Sequence, residues 1–420
     1  MKTYMPRILD KELEKKLKVI GCVLIEGCKW CGKSTTARRH AKSILELQNV
    51  DDKAKFDLIA KTKPSLFLEG EKPLLIDEWQ MYPVVWDAIR HDVDKSGLQG
   101  EYILTGSATP NEGTTMHSGT GRITRILMRP MSLYESEESD GMISLKDLFD
   151  KKNISAIKAN VTLDDIIFYI LRGGWPNAIK VKKNYSLEIA KNYYISLLHE
   201  NMSISNEKEF NANRLDLLLR SLSRNISSPV NISTIEEDIL AHDSSLARNT
   251  ISSYIEVLKK LYVIENVPAW TGKIRSKIAI RSKEKLQFVD PSIACASLGL
   301  NSELLKGDLN TLGLMFESLC MRDLRVYAES LGGKIFYYRD ETDLEIDAII
   351  VLQDGRWGAV EIKLSSGFAL SASENLLKFQ EKVDTDKLGK PSFLMVLVGD
   401  EYSYQLDNGV YIVSIANLKE

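Results

Sequence analysis

Short apolar runs ending in small or acidic residues, each followed by a polar stretch of helical character, set the pattern of the N-terminal part of the chain. VIGCVLIEG (19–27), KPLLIDEW (72–79) and EYILTGSA (101–108) have the length and continuity of strands buried on both faces. Residues 11–18 predict a short charged helix before the first run, and TTARRHAKSILEL predicts a helix after it. Strands alternating with helices predict an α/β core on a mainly parallel sheet.

Beyond residue 130 the pattern changes. ESEESDG (135–141) is polar and turn-rich, and the stretch that follows reads as helices broken by RGGWPNA at 172–178. NRLDLLLRSLSR, STIEEDIL and RNTISSYIEVLKKLYV, followed by a turn and short strands, have the order of a winged-helix module whose third helix would be the recognition helix. Strands return after about residue 285, in IDAIIVL, WGAVEIKLS and PSFLMVLVG. The expected division is an α/β domain over 1–140, a helical lid or linker over 141–205, a winged helix over 206–270 and a C-terminal α/β domain over 271–420.

A chain of 420 residues is long enough for two or three cores, and this composition, 44% hydrophobic and 27% charged, is that of an ordinary globular protein. The net charge of −3 gives no global attraction to nucleic acid or anionic membrane, so any polyanion site must be a local patch. The N-terminus lacks the apolar stretch of a secretory signal, and no apolar run is long enough to span a bilayer, so a cytoplasmic protein without membrane contact is expected. Five cysteines are too few for a disulfide framework. Cys28 and Cys31 form a C-x-x-C with no second ligand pair nearby, which reads as plain thiols ahead of zinc or redox chemistry.

The chemistry is densest just after the first apolar run. Gly27, Gly32, Lys33 and Ser34 satisfy G-x-x-x-x-G-K-[ST] between a predicted strand and a predicted helix. The glycines permit torsions that turn successive N–H groups of Gly27, Cys28, Lys29, Trp30, Cys31, Gly32, Lys33, Ser34 and Thr35 toward phosphate oxygens at the helix N-terminus. Lys33 would contact the β- and γ-phosphates of ATP, and Ser34 would give its hydroxyl to Mg²⁺. Asp77, at the end of LLI, is placed to hold the Mg²⁺ shell, and Glu78 beside it to act as general base. A helix cap is the alternative for that acidic pair. Thr105, Gly106 and Ser107 end the next run, where a hydroxyl can sense the γ-phosphate or simply make a strand-end turn. Arg122 is a candidate transition-state cation, within the chain or across a subunit interface, and Arg125 and Arg129 compete for the role.

Near the C-terminus Asp347, Glu361 and Lys363 have the spacing D-x(13)-E-x-K about the turn QDG at 353–355, so a hairpin there would set Asp347 opposite Glu361. Two carboxylates can hold Mg²⁺ and a lysine can orient water at a phosphodiester, with Glu317 on a predicted helix as a third carboxylate. The alternative is a half-exposed hairpin with an acid–base pair on its wet face. Upstream, WTGKIRSKIAIRSKEK (270–285) holds six basic residues, Lys273, Arg275, Lys277, Arg281, Lys283 and Lys285, against Glu284 alone. That stretch is either a phosphate-contacting face or an edge strand protected by lysines.

LIDEWQ (75–80), ILTGSA (103–108), GRITRILMRPMSLYE (121–135), GGWPNA (173–178) and FVDPSIACASLG (288–299) together resemble the AAA-type P-loop ATPases of archaea and bacteria that carry an uncharacterised C-terminal domain. That domain is similar to the PD-(D/E)xK endonuclease fold. The resemblance covers nearly the whole chain, and departs from the family in lacking an arginine within the phosphate loop, where Cys28-Lys29-Trp30-Cys31 stand. It implies ATP and Mg²⁺ as cofactors, an AAA-like core in the first domain, and coupling to DNA, with a homo-oligomer or protein partner open. A nucleotide-switched regulatory or scaffolding protein with an inactive C-terminal domain is the rival reading.

Overall fold

The computed structural model describes residues 4–106, 119–199, 203–205, 208–209, 211–228, 232–240, 248–272 and 284–420. It divides into two units, Met1–Pro130 with Lys260–Tyr262, and Met131–Lys259 with Val263–Glu420. Among the described residues no helix is long and apolar enough to cross a membrane.

In the first unit the elements run α1 (Leu9–Leu17), β1 (Cys22–Glu26), α2 (Lys33–His40), β2 (Ser43–Glu46), α3 (Lys53–Thr62), β3 (Leu74–Asp77), α4 (Val84–Ser96), β4 (Tyr102–Gly106) and β5 (Ile123–Leu127). The sheet order is β2-β3-β4-β1-β5, and every neighbouring pair is parallel. The three apolar runs supply its centre: β1 and β4 are buried throughout, and β3 is buried up to Asp77. Parallel strands deliver their C-terminal ends to one edge, which is where ligand chemistry collects in open α/β sheets. Because β4 lies between β1 and β3, Thr105 stands between the loop that follows Glu26 and the carboxylate of Asp77.

One expectation is corrected here. The helix predicted through SILEL stops at His40, Ala41 is extended, and Ser43–Glu46 becomes the edge strand β2, alternately half-buried and exposed. Leu and Glu favour helix locally, but parallel pairing of Ser43–Glu46 with Leu74–Asp77 prevails. Beneath the sheet, Leu24, Ile76 and Leu104 pack with Phe56, Phe67, Trp79 and Trp86, the two indole rings lying 4.9 Å apart.

In the second unit α5 (Leu163–Arg172) is followed, beyond helices at Pro176–Lys180 and Lys183–Leu198, by α6 (Ala212–Arg224), α7 (Ile232–Leu240) and α8 (Arg248–Lys260), the helices expected from the periodicity. β6 (Ile264–Val267) and β7 (Lys285–Phe288) then pair antiparallel. After α9 (Pro291–Leu298) come α10 (Leu309–Ser330), β8 (Lys334–Arg339), β9 (Glu345–Val351), β10 (Trp357–Lys363), α11 (Ala369–Lys382), β11 (Leu394–Val398), β12 (Tyr402–Gln405) and β13 (Tyr411–Ser414). Their sheet has the order β8-β9-β10-β11-β13-β12, with Ile157–Lys158 on its edge. β8, β9 and β10 are antiparallel, whereas β10, β11 and β13 are parallel. The pairing of β9 with β10 turns at QDG: Ala348 faces Val360, so Asp347 and Glu361 stand at the next position. α10 packs on β8 and β10, and α11 on β9, β10 and β11. β10 is consequently buried along its length except at Lys363, which removes the wet-face alternative for Glu361.

Distant sequence motifs meet in an ionic knot in this unit. Asp290 Oδ2 accepts from Gly174 N at 2.8 Å and from Arg322 Nη1 at 2.9 Å; Asp290 Oδ1 accepts from Ser292 Oγ at 2.6 Å. Trp175 Nε1 donates to Ser292 Oγ at 2.9 Å. Arg322 Nε donates to Asp323 Oδ1 at 2.8 Å, and Asp323 Oδ2 accepts from Leu133 N at 2.9 Å. A Cβ on Gly174 would lie 2.1 Å from the Met131 carbonyl oxygen, so only glycine fits. GGWPNA, FVDPS and MSLYE (131–135) are thus held together by side chains that fold the unit.

Candidate functional site

The glycine-rich segment leaves β1 at the sheet's C-terminal edge and enters α2 through Gly32, whose φ of 106° a side chain would strain. Gly27 has φ 147°, and a Cβ there would meet the Met128 carbonyl oxygen at 2.1 Å. Trp30, half-way round the loop, takes φ 65°. Lys33 is buried and its ammonium donates to the carbonyls of Gly27 at 2.9 Å and Cys28 at 2.8 Å, so its charge is held over the turn of the loop. Arg7 braces the same loop from outside the motif, donating through Nη1 to Cys31 O at 2.8 Å and through Nη2 to Arg129 O at 2.7 Å. Nothing in the spacing of the N-terminal residues signals that role.

The acidic half of the site converges on Asp77. Ser34 Oγ donates to Asp77 Oδ1 at 2.7 Å, and the buried Thr105 hydroxyl donates to the same oxygen. Thr105 Oγ1 also accepts from Glu78 N at 3.2 Å. Glu78 takes a left-handed conformation, φ 56°, and its carboxylate accepts from Gln80 Nε2. Thr105 therefore ties the two acidic residues together. The sequence reading overlooked Gln80 and also Arg38, whose guanidinium lies 3.6 Å from Asp77 Oδ2 and pairs with Glu46. Ser107 lies outside the described residues.

Arg122 is placed elsewhere. Its carbonyl accepts from Cys22 N, at the start of β1, and its side chain pairs with Asp94. The length of β1, on the order of 13 Å at about 3.3 Å per residue, separates it from the phosphate loop. An in-chain role for Arg122 at the nucleotide is therefore corrected: it sits at the wrong end of parallel strands. Arg125 is engaged by Glu26 at 2.7 Å.

Cys28 and Cys31 are both buried thiols. Burial alone pushes the Cys31 thiol up, but a hydrogen bond from Cys28, the charges of Lys33 and Arg7 and the Lys33 backbone N–H together hold it down to about 6. Among the described residues no group of three or more His, Cys, Asp or Glu side chains is arranged to hold a metal.

The second cluster lies in the second unit, in a cleft of about 720 Å³ lined by Glu345, Asp347, Glu361, Lys363, Lys378 and Lys382 among others. Asp347 Oδ2 accepts from Ile362 N at 2.7 Å. Lys363 Nζ lies 2.8 Å from Glu361 Oε2 and 3.7 Å from Asp347 Oδ2, between the two carboxylates. Glu361 is 2% exposed, and its Oε1 is buried without a hydrogen-bond partner. Burial, then the Asp347 carboxylate, push Glu361 up to about 8, with Lys363 pulling the other way. Glu317 on α10 is also pushed well above the usual carboxylate range, by burial and by Asp347. The expected trio of Asp347, Glu361 and Lys363 is thus brought together. Asp347, Glu361 and Glu317 do not form a three-carboxylate metal cluster; the Lys363 ammonium stands between the first two.

Lys285 is a correction to the basic face. It is 2% exposed, pairs with Glu345, and lies over the Tyr337 ring at 5.1 Å, with Glu317 and Asp347 as further counter-charges. Its charge serves the carboxylate cluster, and a lysine at the start of an amphipathic strand gives no sign of that. Lys273, Arg275, Lys277, Arg281 and Lys283 lie outside the described residues.

Residues 21–137 match the AAA domain model, 163–304 a domain of unknown function (DUF8612) and 312–418 a domain of unknown function (DUF4143). The first match, over the residues that build the phosphate loop and Asp77, supports an AAA-type ATPase. Among curated relatives, "Uncharacterized protein Rv2008c" of Mycobacterium tuberculosis and "Uncharacterized protein Mb2031c" of Mycobacterium bovis are each 23% identical over 366 residues, 86% of this chain and 74% of theirs. Among solved structures, a STAND protein with a tetratricopeptide repeat sensor from Pyrococcus horikoshii aligns at TM-score 0.25 and 16% identity, over 78% of this chain and 50% of its own. This chain therefore spans half the length of that protein. A single-substitution variant of Thermotoga maritima RuvB aligns at TM-score 0.27 and 16% identity, over 62% of this chain and 89% of its own. At those scores neither structure bears on the fold or the site.

Proposed function

We propose that the chain binds Mg²⁺-ATP at the loop Gly27–Ser34 and hydrolyses it, with Glu78 as general base, and that the cycle drives action on nucleic acid by the second unit. The observation that carries the ATPase reading is the convergence of Ser34 and Thr105 on one oxygen of Asp77, beside a buried lysine that caps the glycine-rich loop. Ser34 Oγ and the Asp77 carboxylate are oxygen donors of the kind Mg²⁺ takes, and they already stand within hydrogen-bond distance, so they fit the ion. When bound, Mg²⁺ neutralises charge on the β- and γ-phosphates. Lys33 supplies the side-chain cation. Glu78 accepts the proton of the attacking water once its carboxylate leaves Gln80, and Thr105 holds the Glu78 backbone in register with Asp77.

Glu78→Gln tests this directly. The variant should bind ATP within about threefold of the parent, because the phosphate contacts remain, while steady-state hydrolysis falls by about 10²-fold or more. Parental turnover in Glu78→Gln would assign proton acceptance to another group.

A second reading concerns the C-terminal cleft, whose helix, antiparallel strands and D-x(13)-E-x-K residues resemble the PD-(D/E)xK nuclease core. The specific observation favouring it is the meeting of the Glu361 and Asp347 carboxyls in the cleft, with Lys363 beside both. Two carboxylates completed by water and substrate oxygens suit a hard divalent ion, which the pair would take once the Lys363 ammonium moves from between them. Lys363 would orient the attacking water, and the Lys378 ammonium on the cleft would meet a phosphodiester backbone, whereas Lys382 is held by Asp340 and Thr342. On this reading the parent nicks supercoiled DNA with Mg²⁺ or Mn²⁺, and Asp347→Ala loses at least about 10²-fold of that activity, with ATP hydrolysis retained. A parent that leaves duplex, forked and single-stranded DNA intact would leave the second unit as a binding module switched by nucleotide.

A further inference from the structure

The phosphate loop carries a feature that phosphate binding does not use: a pair of thiols, Cys28 and Cys31, buried in it and hydrogen-bonded to each other. They flank Trp30, whose positive φ folds the segment back so that residues three apart meet. The loop is braced on both sides of the pair. The Cys31 carbonyl is held by Arg7 and the Cys28 carbonyl by Lys33, and a Cβ on Gly27 would lie 2.1 Å from Met128 O and 3.3 Å from Cys31 Sγ, so the backbone there has no room for a methyl group.

We infer that Cys28 and Cys31 form an oxidation site, a dithiol whose closure to a disulfide shuts the phosphate loop to ATP. The inference rests on the ATP-binding reading above. With a peroxide as oxidant, the Cys31 sulfur attacks one peroxide oxygen, the O–O bond breaks, and Cys31 sulfenic acid and water result. The Cys28 sulfur then attacks the sulfenic sulfur; the S–S bond forms, and hydroxyl leaves with the Cys28 proton as a second water. Lys33 and Arg7 favour the first step, because both place positive charge at the Cys31 sulfur; both thiols are buried, so peroxide reaches them only as the loop opens.

Closure draws the sulfurs from contact distance to about 2 Å. Gly27 cannot absorb that movement, so the segment Cys28–Cys31, whose amides would cradle the phosphates, must take it. Displacing several charge-assisted donors by about 1 Å removes most of their value. Loss of the Cys31 charge acts in the opposite sense, but Lys33 and Arg7 already balance that charge, so the geometric effect governs the sign. ATP, in turn, occupies the Lys33 ammonium and covers the loop, and so should slow oxidation.

The full chain is treated with hydrogen peroxide, with and without Mg²⁺-ATP, and then read by peptide mass spectrometry and by binding of a fluorescent ATP analogue. Expected are a peptide spanning residues 28–31 lighter by two hydrogens, a tenfold or greater loss of affinity reversed by dithiothreitol, and slower oxidation under Mg²⁺-ATP. Cys28→Ser and Cys31→Ser should each show equal affinity before and after peroxide, whatever that affinity is. The inference is overturned if no 28–31 disulfide forms, or if it forms and affinity is unchanged. If the reduced parent itself fails to bind ATP, the nucleotide-binding reading fails and the gate with it, an outcome distinct from a reduced protein that binds normally and ignores peroxide.

Discussion

Lys33→Ala should raise the dissociation constant for ATP by about 10²-fold or more, the largest effect expected of any single change in the first unit. The side chain would make charge-assisted contacts to two phosphates, each worth about 1.5–3 kcal/mol, and the remaining N–H groups of the loop carry no full positive charge. In the nucleotide-free molecule the same ammonium is engaged by the carbonyls of Gly27 and Cys28, so part of its binding energy replaces contacts it already has. That competition sets the effect at hundreds-fold rather than at the sum of two strong contacts. Alanine suits the helix that begins at this position, but it leaves the Gly27 and Cys28 carbonyls without their buried donor, so the variant should melt somewhat below the parent in the absence of nucleotide. With ATP at about a hundred times its dissociation constant the parent gains about 2.7 kcal/mol of stability, which Lys33→Ala should not show. A thermal-shift titration measures both, and an undiminished ATP-dependent shift in the variant would remove Lys33 from the site.

Much of the first unit was legible because its signals are local. The strands around Leu24, Ile76 and Leu104 are continuous apolar runs, and the phosphate loop is one short pattern at a strand–helix junction. The sequence also located the turn that brings Asp347 to Glu361, since a hairpin's register follows from its centre. What it missed depends on contacts between distant segments. Ser43–Glu46 reads as helix until Leu74–Asp77 pairs with it. Arg122 looks available until the parallel register puts it at the far end of β1. Lys285 joins Glu345 across sixty residues of sequence, and no periodicity reports such a partnership. Arg7 likewise reaches the loop through two backbone carbonyls, a contact with no residue-type signature.

Arg322→Met should destabilise the second unit by about 3–5 kcal/mol, the loss expected when one member of a buried ion network is removed. The Arg322, Asp290 and Asp323 side chains are fully buried, and the guanidinium is the cation that both carboxylates share. Methionine fills much of the volume but leaves two carboxylates facing an apolar side chain. Asp290 would still accept from Gly174 N and Ser292, and Asp323 from Leu133 N, so geometry is partly kept while charge balance is lost. The sign of the pH dependence follows from Asp323. Burial first pushes its carboxyl up to about 6 despite Arg322, so between its ordinary value near 4 and 6 the folded state holds more proton than the unfolded state. Stability contributed there falls as pH rises. Without the guanidinium that folded value climbs further, and the variant's deficit relative to the parent should be largest near pH 7.5 and shrink toward pH 5, as protonation removes the uncompensated charge. Urea unfolding of parent and variant at the two pH values tests this, because Asp290 and Asp323 also fix GGWPNA to Leu133. A deficit below about 0.5 kcal/mol, in the range of a surface substitution, or one independent of pH, would mean that the knot is held by its hydrogen bonds to backbone and not by the charge of Arg322.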